Sequence, residues 1–263
     1  MKTEMNTNEM IRLHCKTLRL PMMATALEES IRCAERDNWP LALFLAHLLE
    51  QEVAARQQRR VERLRLASKL PPGKTFAVFD ESRLPLRIRR QLPNLQAGDF
   101  VNRTQNVLCF GLPGTGKTHL AAALGHLLVE NGRTVLFTPT FKLVGRLLHA
   151  KQEYELEREL RRLDKFEVVI LDDIGYVQQS REEMEVLFTF LSERYERRSL
   201  VITSNLVFSE WDKIFKDPLT TAAAIDRVVH HSIIIEFGRD IQSMRMEQAK
   251  RSQAALPPEG GVG

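Results

Sequence analysis

The chain has 263 residues, 43% hydrophobic and 27% charged, an ordinary globular composition that excludes a mainly disordered, collagenous or coiled-coil protein. No apolar run nears the ~20 residues a membrane helix needs, and the start MKTEMNTNEM lacks a signal-peptide core, so a soluble cytoplasmic protein without membrane contact is expected. The formal charge of +4 is uneven: residues 56–105 hold 12 Lys and Arg against 4 Asp and Glu, which marks either a polyanion site or a solvated helix face.

Residues 7–68 read as helices punctuated by Pro21 and Pro40. Leu41, Leu45, Leu48 and Leu49 recur there at helical spacing, which predicts packing rather than a binding stripe. A connector follows with Pro71, Pro72, Gly73, Pro85, Pro93 and Gly98. From Asn106 onward, the apolar runs Val107–Phe110, Val135–Thr138, Val168–Leu171, Leu200–Thr203 and Ile233–Phe237 alternate with helical stretches. That alternation predicts an α/β fold with a five-stranded parallel sheet flanked by helices. The expected division is a small helical N-terminal domain over 1–70, a basic linker over 71–105, a catalytic domain over 106–253 and a loose tail over 254–263. Cys15, Cys33 and Cys109 share no metal-ligand spacing and cannot all pair, as befits a reducing compartment. His230 and His231 are adjacent and cannot share one helix face, so they are read as structural or solvent-facing.

The first strand-like run leads into Gly111-Leu112-Pro113-Gly114-Thr115-Gly116-Lys117-Thr118, a G-x-x-x-x-G-K-T pattern. Its glycines let backbone N–H groups turn toward phosphate oxygens, and the following helix, His119–Glu130, offers its positive N-terminus. Lys117 is expected on the β- and γ-phosphates and the Thr118 hydroxyl on Mg²⁺. The expected nucleotide contacts are Gly111, Pro113, Gly114, Thr115, Gly116, Lys117, Thr118 and His119. A buried strand should end in an acid to complete such a site, and Val168–Leu171 ends in Asp172-Asp173, the first of them 55 residues after Lys117. Asp172 is expected to hold Mg²⁺ through water, and Asp173 to orient or deprotonate the attacking water. Leu200–Thr203 runs on to Asn205, which falls at the same edge of the sheet and can help place that water.

With these elements in order, the chain resembles the AAA+ ATPases, and more narrowly the IstB-like transposition helpers and their relatives, the DnaC-type helicase loaders. The resemblance spans nearly the full length. It includes Leu18-Arg19-Leu20-Pro21-Met22-Met23, Glu52 through Arg56, Lys74-Thr75-Phe76 and Phe79-Asp80 before the phosphate loop. It continues through Leu171-Asp172-Asp173-Ile174-Gly175-Tyr176, Arg194-Tyr195-Glu196, Thr203-Ser204-Asn205, Ala224-Ile225-Asp226-Arg227, His230-His231-Ser232 and Ser243-Met244-Arg245. The resemblance implies a P-loop AAA+ core. It also implies that Arg227 is an arginine finger completing a neighbouring subunit's ATP site, and that Arg245 contacts ATP within its own subunit. Two positions depart from the family pattern: Asp173 stands where many members have Glu, and Met244 where many have Tyr.

The function this implies is an ATPase that binds ATP and Mg²⁺, oligomerises on duplex DNA and recruits or activates the transposase of its insertion sequence. A DnaC-like replicative helicase loader is the alternative. Arg56, Arg59, Arg60, Arg63 and Arg65 fall within three helical turns on more than one face and are the candidate duplex contacts. Only Phe76 and Phe79 lie nearby as aromatics, which disfavours a base-stacking single-strand mode.

Overall fold

The structure is a computed structural model and describes residues 6–176, 180–215 and 218–238. The chain forms two compact units that meet in sequence between Arg63 and Leu64.

The first unit is helical. Helix α1 (Thr7–Thr17) opens with a reciprocal cap between Asn6 and Glu9, and α2 (Pro21–Arg36) opens on Pro21, whose missing N–H costs nothing at a first helical position. Helix α3 (Leu41–Ser68) carries the chain across the boundary. Ala26, Leu27 and Leu48 form a small core, with Ile11, Met23, Ile31 and Phe44 packed around it. The leucine periodicity of α3 is therefore only partly packing. Leu48 is buried, but Leu41, Leu45 and Leu49 are exposed, Leu41 at 87%. A core of three buried residues is too narrow to cover that face.

Glu52 supplies the polar centre of this unit. Its buried carboxylate accepts hydrogen bonds from the backbone N–H groups of Met22 (2.7 Å) and Met23 (3.3 Å), capping α2 from a different helix. It also accepts from Arg56 Nε at 3.0 Å and Arg59 Nη2 at 3.2 Å. Burial works to raise the Glu52 pKa, but the Arg56 hydrogen bond and the two amides outweigh it and hold the carboxyl below its ordinary value.

The second unit contains α4 (Leu86–Ala97), α5 (Asp99–Asn102), β1 (Asn106–Gly111), α6 (Lys117–Glu130), β2 (Val135–Pro139), α7 (Thr140–Gln152) and α8 (Leu156–Leu163). It continues with β3 (Val168–Asp172), α9 (Arg181–Arg194), β4 (Ser199–Ser204), α10 (Asp212–Phe215), α11 (Pro218–Val229) and β5 (Ser232–Phe237). Within 71–105, Ile88, Leu92 and Leu95 recur every three or four residues along α4 and are buried, so this stretch contributes to the core of the unit.

The five strands form one sheet in the order β2-β3-β4-β1-β5, and every pairing is parallel. Strands β1 and β3 are fully buried along their apolar runs, as continuous Val/Ile/Leu text demands of a sheet covered on both faces. A large core joins Leu108, Phe110, Val169, Leu171 and Ile202 of the sheet to Leu143, Leu147, Phe190 and Trp211. Because all strands run the same way, their carboxyl ends share one edge. The register Phe110↔Ser204 and Leu171↔Ile202 brings the residues after β1, β3 and β4 together there. No helix among the described residues is long and apolar enough to cross a membrane.

Candidate nucleotide site

The phosphate loop leaves β1 at Gly111, where φ is +148° and an added Cβ would stand 2.6 Å from the carbonyl oxygen of Phe237. Only glycine fits there, because β5 is paired alongside β1 and brings the Phe237 backbone against the loop's first residue. Gly116 (φ +104°) then turns the chain into α6, leaving the first N–H groups of that helix pointing into the loop.

Lys117 is 7% exposed, and its ammonium is held by three acceptors. Nζ donates to the carbonyls of Gly111 (2.7 Å) and Leu112 (2.8 Å) and to Asn205 Oδ1 (2.8 Å). The same Asn205 amide donates through Nδ2 to both carboxylate oxygens of Asp173, each at 3.2 Å. Thr118 Oγ1 donates to Asp172 Oδ1 at 2.8 Å. The expected catalytic and metal-binding groups of three strand ends are thus linked into one polar network.

Pro113, Gly114, Gly116, Lys117, Thr118, His119, Asp172, Asp173 and Asn205 line one cavity of about 350 Å³, together with Lys74 and Thr203. Thr115 is buried behind the loop, its hydroxyl donating to the Leu112 carbonyl at 2.9 Å. His119 Nε2 lies 3.2 Å from the Thr75 carbonyl oxygen, and its ring packs edge-on to Phe79 at 5.0 Å. Burial lowers the His119 pKa, opposed by the Thr75 hydrogen bond and reinforced by the Lys74 charge.

Thr203 was not singled out from sequence. Its hydroxyl donates to Asp172 Oδ1 at 2.8 Å and accepts the Asp173 N–H at 2.8 Å. The signal was a hydroxyl at the end of an otherwise apolar strand, where a buried polar group needs a partner. Asp173 itself adopts a left-handed backbone (φ +58°), a conformation that Asp and Asn tolerate better than Glu. Burial pushes the Cys109 thiol, on the strand beneath the loop, up to about 12, so it is not a nucleophile.

Arg227 lies on α11, outside the residues lining the cavity, with its guanidinium 4.8 Å above the Phe188 ring and Nη1 donating to the Ala223 carbonyl at 3.3 Å. Arg245 lies outside the described residues. All five candidate DNA arginines are exposed. Arg56 and Arg59 share the Glu52 carboxylate, and Arg65 stands 3.9 Å from Glu130.

Residues 13–253 match the family described as IstB-like ATP binding protein. The chain belongs to the IstB-like ATP-binding protein family. One IstB-like relative, named an insertion sequence ATP-binding protein of Sinorhizobium fredii, is 43% identical over 256 residues, covering 96% of this chain and 85% of its own. Another, the insertion sequence IS21 ATP-binding protein of Pseudomonas aeruginosa, is 37% identical over 235 residues, with 89% and 88% covered. Among solved structures, DnaI superposes with a TM-score of 0.54 at 20% identity, covering 64% of this chain and 95% of that one. AMPPCP-bound DnaA from Aquifex aeolicus does so with 0.54 at 16% identity, covering 74% and 58%. These likenesses establish the IstB-like chain as an AAA+ fold, with its five-stranded parallel sheet and flanking helices.

Proposed function

We propose that this chain hydrolyses ATP and uses the ATP state to assemble on duplex DNA, where the assembly recruits or activates the transposase of its insertion sequence. The observation that carries the reading is the convergence of Lys117, Thr118, Asp172, Asp173 and Asn205 on one cavity at the carboxyl ends of β1, β3 and β4. The cavity's chemistry fits a nucleotide polyphosphate. A loop that admits no Cβ at Gly111 and a helix N-terminus provide N–H donors, and Lys117 provides the matching charge. Thr118 and Asp172 are hard oxygen donors that would hold Mg²⁺, which when bound neutralises phosphate charge.

The chain's own groups then divide the work. Lys117 exchanges its loop carbonyls for phosphate oxygens. Asp172 is oriented by Thr203, and Asp173 accepts a proton from water at a position shared with Asn205. Arg227 does not line its own cavity and in this reading acts on a neighbouring subunit's site, which makes assembly a condition of rapid hydrolysis. Arg245 is proposed as the contact to ATP within the same subunit.

The helical N-terminal region, 1–70, is the DNA- and partner-binding domain of this reading, with 71–105 as the basic connection to the ATPase domain over 106–253 and a tail over 254–263. Arg60 and Arg63 join Arg56, Arg59 and Arg65 as backbone contacts, so binding is largely independent of sequence. The names of the relatives, which are insertion sequence proteins, favour the transposition role over a helicase loader. Single-turnover ATP hydrolysis with and without duplex DNA tests the reading: turnover that rises with DNA supports it, and a protein that binds ATP but never hydrolyses it is a nucleotide-gated clamp instead.

A further inference from the structure

Two short loops bring Glu196, His230 and His231 together at the amino-terminal edge of the sheet, opposite the nucleotide cavity. Glu196 follows α9 and precedes β4, and the histidines join α11 to β5, with the His231 carbonyl accepting the first N–H of β1 at 3.2 Å. On a continuing helix, adjacent histidines would diverge by about 100°. Here α11 stops at Val229 and His231 turns left-handed (φ +59°), which folds the two imidazoles to a centroid distance of 4.0 Å. Glu196 is left-handed as well (φ +56°), and its Oε1 lies 3.8 Å from His230 Nδ1.

One ligand atom from each of the three residues lies within 4.8 Å of the others. Bonds of about 2.0–2.1 Å to a tetrahedral ion place ligand atoms roughly 3.3 Å apart, so side-chain rotation of these exposed groups closes the gap. Two imidazoles and a carboxylate form a set that suits zinc and its neighbours and is foreign to Mg²⁺. Tyr195 adds an orienting group, its hydroxyl 2.7 Å from His230 Nδ1.

We propose that Glu196, His230 and His231 bind one zinc-type divalent ion, separate from the nucleotide cavity, that staples the end of α9 to the end of α11. The consequence reaches Arg227, which sits in the last turn of α11 and stacks on Phe188 of α9. Fixing the two helix ends fixes the element that carries this arginine.

The test is equilibrium dialysis of the untagged chain against Zn²⁺ alone, with zinc counted by elemental analysis. A Cys33→Ser background removes the half-buried free thiol as a competing ligand. Glu196→Gln and His231→Asn are the variants, since Asn tolerates a left-handed backbone. One zinc per parent chain is expected, undisturbed by excess Mg²⁺ and by Lys117→Ala, with affinity falling at least about tenfold in each variant. The thermal midpoint should rise with zinc in the parent alone. His230→Gln replaces either variant that fails to fold. Absence of bound zinc, or zinc binding undiminished in folded variants, overturns the proposal.

Discussion

Lys117 and Asn205 are joined by a 2.8 Å hydrogen bond from ammonium to amide oxygen, and the opposite end of that amide holds Asp173. The amide thus touches the ammonium proposed to bind phosphate with one atom and the carboxylate proposed to activate water with the other. On the proposed function, Lys117 turning to phosphate would free Asn205 Oδ1 for the attacking water. Asn205→Ala should leave ATP affinity within about threefold and lower single-turnover hydrolysis by ~10²-fold, the scale of losing one positioned polar group. Equal losses in binding and hydrolysis would place Asn205 in binding alone.

Lys117→Ala should abolish tight ATP binding, because it removes the buried cation whose three acceptors are the loop itself and Asn205. Equilibrium dialysis with labelled ATP measures it. Unchanged affinity would remove the cavity from the account.

Asp173→Asn should bind ATP and DNA normally and hydrolyse poorly, since an amide cannot take a proton from water. Asn is also at ease at φ +58°, so thermal stability should stay within about 0.5 kcal/mol of the parent. Hydrolysis at the parent rate would show that Asp173 is not the base.

How much of this was legible in the sequence follows the physics of each part. The phosphate loop and the acidic strand end could be read directly, because backbone geometry forces glycine at Gly111 and a parallel strand forces a continuous apolar run before Asp172. Thr203 escaped, since a single hydroxyl at a strand end has meaning only once the register places it against Asp172. The α3 leucines were only partly legible for a similar reason: helical spacing fixes which residues share a face, but not whether another element covers that face, and only Leu48 is buried. The His230–His231 pair is solvent-facing, as read from the sequence; that its geometry is set by a turn rather than a helix follows only from α11 ending at Val229.

Glu52 should carry a pH signature of the helical unit. Its pKa is held below the unfolded value of about 4.3, so its contribution to stability is full above that pH and is lost as pH falls through the lowered folded value. Glu52→Gln should therefore destabilise the protein at pH 7 by about 1–2 kcal/mol, as loss of a helix cap does, and should flatten the acid limb of the stability curve. Circular-dichroism melts between pH 3 and 7 provide the measurement.

Arg227→Ala should leave ATP binding intact and cut hydrolysis by ~10³-fold or more. Mixing it with Lys117→Ala protein should restore part of the activity, because some interfaces then combine an intact loop with an intact arginine. Co-assembly without any rescue would assign Arg227 to its own subunit.

Sedimentation velocity of the chain on a short duplex, with and without ATP, tests the central claim most directly. The account predicts a multi-subunit DNA complex with ATP that shrinks without nucleotide. It also predicts that Lys117→Ala fails to form the complex, and that rising salt weakens it, with log K falling by roughly 0.9 for each phosphate neutralised per log unit of salt. A DNA-bound species of the same size with ATP, without it, and in the Lys117→Ala variant would contradict the account.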